Sequence, residues 1–112
     1  MSFEQQLNLF VRSINESPYI SRDTRIRIIR KIDQIHLQLE EGGITFIQVE
    51  QVLLDLHAQA AADEIVTLSS KICYLNPRSP RLEHLRTLQH KLHTGEISAS
   101  QARKKLQELM HA

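Results

Sequence analysis

Apolar residues recur along this chain at steps of three and four, the spacing that gathers side chains on one face of an α-helix. Phe3, Leu7, Phe10, Val11 and Ile14 form the first stripe, and Ser17-Pro18 ends it, because a proline crowds the preceding residue out of α conformation. Ser21 is the expected N-cap of a second helix carrying Ile28, Ile32, Ile35 and Leu39. Gly42-Gly43 supplies the left-handed residue that ends it. Thr45 with Gln48 makes a capping box, and Ile44 and Val49 stand where a hydrophobic staple requires them. The helix that follows is expected to bury Phe46, Val49, Leu53 and Leu56.

Near Ala60-Ala61-Ala62-Asp63 the apolar phase slips, and a new stripe begins at Ile65, Leu68, Ile72 and Leu75. Alanine favours helix, so one long bent helix stays open. Asp63 as a cap favours a break. Asn76-Pro77 closes the segment, and Ser79-Pro80 opens the next with an N-cap and a proline at the first helical position. Its buried face is Leu82, Leu85, Leu88 and Leu92. Gly95 ends it, Ser98 and Gln101 form a second capping box, and Ala102, Leu106 and Leu109 face inward. The expectation is a single all-α domain over residues 1–112, a compact six-helix bundle with helices near 3–16, 22–41, 46–61, 64–75, 80–93 and 99–111.

A shift of 53 residues superposes much of this pattern on itself. Ile29, Ile32, Ile35 and Leu39 fall on Leu82, Leu85, Leu88 and Leu92; Gly42, Ile44, Thr45 and Gln48 fall on Gly95, Ile97, Ser98 and Gln101. Val49, Leu53 and Leu56 then meet Ala102, Leu106 and Leu109. A six-residue gap brings Ser17-Pro18 onto Asn76-Pro77, so the chain reads as two related three-helix units, 1–61 and 62–112. Any two amphipathic hairpins share some of this spacing; the common G-x-I-[ST]-x-x-Q turn goes beyond it.

Composition narrows the function classes. Of 112 residues, 41% are hydrophobic and 24% charged, with three glycines and three prolines, which suits a packed domain rather than a low-complexity chain. No apolar run is long enough to span a membrane, and a lone cysteine, Cys73, fits a reducing, cytoplasmic setting. Cys73 sits between Ile72 and Tyr74 on an apolar stripe and is expected to be a buried structural thiol rather than a nucleophile. No glycine-rich phosphate loop, G-x-S-x-G or paired-carboxylate setting appears, so the chain is read as not an enzyme, with no cofactor. His90 and His93 stand three apart with Glu96 beyond, but nothing completes a ligand set and no metal site is expected.

The net charge of +1 hides segregation: residues 33–70 carry seven acidic side chains and no Lys or Arg, between two basic flanks. Charges pairing across one fold would produce this, and so would electrostatic self-complementarity between copies. The densest cluster is Arg22, Arg25, Arg27, Arg30 and Lys31, with Arg78, Arg81 and Arg86 in the related stretch of the second unit. Arginine forks there suit carboxylates or phosphates. These eight residues are the candidate partner-binding site. Ile20, Ile26, Ile47 and Leu54 lie off the main stripes, either as an exposed docking patch or as a wider core face. The resulting expectation is a non-catalytic helical protein-interaction module (adaptor, chaperone, inhibitor or regulatory subunit) whose partner is another protein, with a homodimer favoured over a monomer. Nucleic-acid binding through helix 22–31 is the alternative; missing interleaved aromatics and a modest overall charge weigh against it.

Overall fold

The computed structural model describes residues 2–111. Their secondary structure is five helices, α1 (Phe3–Glu16), α2 (Arg22–Glu41), α3 (Phe46–Leu75), α4 (Arg81–His93) and α5 (Ala99–His111), with no strand among the described residues. The all-α expectation holds, but the described residues form five helices rather than the expected six. Residues 46–75 form one helix of 30 residues that runs straight through the proposed break.

Two physical reasons account for the missing break. Alanine at 60–62 favours continued helix, and the Asp63 carboxylate is used elsewhere, accepting the backbone N–H of Ser21 at 2.7 Å. The slip in apolar phase is a change of neighbours. The first half of α3 buries Val49, Leu56 and Ala60 in a core with Leu7, Phe10, Ile14, Ile28, Ile32 and Ile35. Its second half buries Ala61, Ile65 and Leu68 in a separate core with Leu85, Leu88, Ala102 and Leu106. Adjacent alanines thus mark the handover from one core to the other.

The ends of the elements follow the local chemistry of the chain. Ser21 Oγ accepts the Thr24 N–H, and Thr45 and Gln48 exchange side-chain and backbone bonds at 3.2 and 2.9 Å. Ser98 and Gln101 repeat that exchange at 3.2 and 2.9 Å. Gly42 at φ 72° and Gly95 at φ 78° both occupy the left-handed region, where a Cβ is strained. Regular α4 starts one residue after Pro80, although Ser79 Oγ still accepts the Arg81 N–H at 3.3 Å, as an N-cap serine does. Ser2 and Gln5 add a capping box at the start of α1.

Several side chains depart from the expected core. Phe46 is largely exposed and rests its ring on Phe3, centroids 5.4 Å apart. Cys73, Tyr74 and Leu75 are exposed, while Ile72 in the same turn packs against the second core. Ile20 goes the other way and joins the first core. In the first helix the burial phase also differs from the proline-to-proline alignment. Leu7, Phe10 and Ile14 correspond in spacing to Ile65, Leu68 and Ile72, one residue out of step with Ser17-Pro18 over Asn76-Pro77.

Candidate functional site: a basic groove between the second and third helices

Residues of α2 and the first half of α3 line an open groove. Ile26, Val52 and Leu56 supply its apolar surface, and Arg27, Arg30 and Lys31 rise from α2 along one wall. Spacing explains the convergence: positions 27, 30, 31 and 34 are neighbours on a helix surface, so three of the five clustered cations share one edge. None of the three has a carboxylate within ion-pair distance among the described residues. Asp23 and Asp55 also line the groove, and Asp55 accepts a hydrogen bond from Gln59 Nε2 at 3.0 Å. Ile26, 37% exposed, extends the apolar surface to the rim.

The other predicted site residues separate. Arg22 stands exposed in the first turn of α2, outside the groove lining. Arg25 is turned inward: Nη2 donates to the carbonyls of Ser17 and Ile20 at 3.0 and 3.2 Å, tying down the turn that enters α2. It is a structural arginine rather than part of the basic wall. Arg78 lies in the turn after α3, where its backbone N–H donates to Asn76 Oδ1. Arg81 faces a crevice with Tyr19, Ile72, Leu75 and Met110. Arg86 pairs with Glu83 at 2.9 Å on an exposed face. Of these three, Arg81 lines a crevice and Arg86 is engaged with Glu83. Of the off-stripe apolar residues, Ile47 and Leu54 are 70% and 68% exposed, seven apart and so on the same side of α3.

The polar cluster at the middle of α3 is absent from the sequence reading. Glu64 is buried and paired through Oε1 with Nε of Arg103 from α5. Its other oxygen accepts the Ser17 hydroxyl at 2.7 Å. Arg103 also donates through Nη1 to Ser13 Oγ at 2.9 Å and through Nη2 to the Ser13 carbonyl at 3.3 Å. One guanidinium thus ties α5 to α1 across α3. Beside it His57 packs against Phe10 with ring centroids 4.1 Å apart and the ring planes tilted by 43°. Burial lowers the His57 pKa from its ordinary value, and the charge of Arg103 lowers it further. Its Nδ1 is buried without a hydrogen-bond partner. A signal was present in the sequence: Glu64 is an acidic residue inside the apolar stripe of a helix, and such a charge needs a buried partner.

No helix of the structure is long and apolar enough to cross a membrane. Among the described residues no group of three or more His, Cys, Asp or Glu side chains converges. The chain matches no family model, and no curated protein or solved structure is significantly similar to it.

Proposed function

We propose that this chain is a non-catalytic protein-interaction module that holds a segment of another protein in the α2/α3 groove. The observation that carries the reading is the set of unpaired cations Arg27, Arg30 and Lys31 beside the apolar surface of Ile26, Val52 and Leu56. Three other arginines are paired within the chain, Arg12 with Glu16, Arg86 with Glu83 and Arg103 with Glu64. Desolvated charge pairs beside buried apolar anchors are how stable interfaces combine affinity with specificity. The polar side chains of the central cluster bond mainly to one another, which suits a structural role for them better than catalysis. An exposed free thiol at Cys73 supports a reducing, cytoplasmic setting.

Nucleic-acid binding is the weaker reading. Asp23 and Asp55 in the same groove repel a phosphate backbone and suit a peptide, which carries donors as well as acceptors. A photo-crosslinker at Gln34, on the groove wall, tests the proposal. We expect it to capture a defined protein partner, and Arg27→Glu with Arg30→Glu to abolish capture while leaving helix content unchanged. Capture unaffected by both reversals overturns the reading. A gel shift that appears with DNA or RNA at low salt and collapses as salt rises replaces it with the nucleic-acid alternative. Light scattering at two concentrations reads the homodimer directly, as twice the chain mass of 13.0 kDa.

A further inference from the structure

The α2/α3 groove has a counterpart. α4 and α5 form a hairpin around left-handed Gly95 and the Ser98/Gln101 box, as α2 and α3 do around Gly42 and the Thr45/Gln48 box. An open groove runs between them too. Lys31, Gln34, Val52, Asp55 and Leu56 line the first groove. The residues 53 positions later, His84, Thr87, Lys105, Glu108 and Leu109, line the second. The offset found in the apolar pattern, which concerns buried residues, therefore also aligns two solvent-facing surfaces. An acidic residue stands at the same place in each, a basic or titratable one at the same place, and a leucine at the same place. Lys91 adds a cation to the second groove where Gln38 stands in the first half.

Resting on the interaction-module reading above, we propose that the chain is bivalent: each groove takes one acidic amphipathic helix of a partner protein. Three observations fix the chemistry of the occupant. Each groove lies between two helices, and no residue of α1 lines the first or of α3 the second. A further helix laid there would complete a four-helix arrangement by packing its ridges into the open groove. The apolar surfaces, Ile26, Val52 and Leu56 in one and Leu88 and Leu109 in the other, call for an apolar stripe on the occupant. Cations outnumber carboxylates in both grooves, and Lys91 and Lys105, like Arg27, Arg30 and Lys31, have no ion-pair partner among the described residues. Acidic flanks on the occupant match that surplus. Because both grooves are borne by the same continuous α3 scaffold, two acidic helices in tandem would gain from high effective concentration.

The test uses the whole 112-residue chain, isotopically labelled, and a synthetic helical peptide with leucines at i, i+3, i+4 and i+7 spacing and glutamates on the flanks. The amides of Gln34 and Thr87 report the two grooves by NMR. The expected result is saturation at two peptides per chain with both amides responding. Arg30→Glu with Lys31→Glu should weaken the Gln34 response roughly tenfold and spare Thr87, and Lys91→Glu with Lys105→Glu should do the reverse. Two peptide copies joined by a flexible linker long enough to reach both grooves should bind about 100-fold more tightly than one. A response at Gln34 alone overturns bivalency and leaves the single-groove function standing. No response at either amide overturns both. Equal binding of a peptide with the same composition but scattered leucines overturns the groove chemistry. Shifts at both amides that grow with protein concentration alone, with doubled mass, assign the grooves to a second copy and overturn the partner helix.

Discussion

The two halves of the molecule solve one packing problem with different side chains. The N-terminal core is filled by Phe10 and a run of isoleucines, and His57 packs against Phe10 where α1 faces α3. The C-terminal core relies on leucines with Ala61 and Ala102, and α4 and α5 pack more closely on the second half of α3 than α1 packs on α2. Val49 in the first half is Ala102 in the second, at the same place after the capping box. Small residues let helix axes approach, and bulky ones hold them apart and fill the space between. The difference shows that a helical pattern can be kept while the distance between helices is reset by one or two positions.

The largest effect that sharpens this comparison is at the clasp between the halves. Glu64→Ala leaves Arg103 buried without its carboxylate and should cost about 3–5 kcal/mol in urea unfolding. Replacing both partners with leucine should recover most of that loss, because the penalty comes from the uncompensated charge. Cavity formation comes next: Ile32→Ala and Leu85→Ala, at related positions of the two cores, should each cost about 2–5 kcal/mol. Hydrogen exchange then tells whether each loss stays in its own half or spreads through α3.

Smaller changes separate the halves more sharply. Ala102→Leu should destabilise by about 1–3 kcal/mol by pushing α5 off α3, whereas Val49→Leu should be milder in the more widely spaced half. Gly42→Ala and Gly95→Ala should each lose about 1–2 kcal/mol, as alanine in the left-handed region is strained although the space around both is open. The smallest effect is a pH slope peculiar to the N-terminal half. The folded state holds His57 below its ordinary pKa, so the unfolded chain binds the proton more readily. Stability should be full above about pH 6.5 and decline as pH falls from there towards the lowered folded value. Thermal melts should show that slope reduced in His57→Gln.

Local chemistry in this chain was legible and tertiary context was not. Helix ends at Ser21, Gly42, Thr45, Gly95 and Ser98 depend on a few adjacent residues, and each has the expected conformation or hydrogen bond. The continuity of α3 depends on what Asp63 bonds, and its partner Ser21 lies far away in sequence. Of the last turn of α3 only Ile72 packs on the second core, and Cys73 and Leu75 stay exposed, so periodicity overstated their burial. Of the arginine-rich site, Arg27, Arg30 and Lys31 were readable because they share a helix edge. Arg25 was not, since its role is set by carbonyls in the preceding turn.

The unbroken α3 has a consequence for how such a chain can change over time. A flexible linker absorbs an inserted residue, but a helix turns by about 100° and lengthens by about 1.5 Å for each one. One residue gained or lost near Ala61 would swing the second core around the axis and pull Arg103 away from Glu64 and Ser13. Length variation should therefore be purged from the middle of α3 and tolerated in the exposed turns at 42–43 and 94–96, whose backbones carry no such phase. Relatives of this chain, when aligned, should differ freely in those turns and keep the count of residues from Thr45 to Asn76 constant.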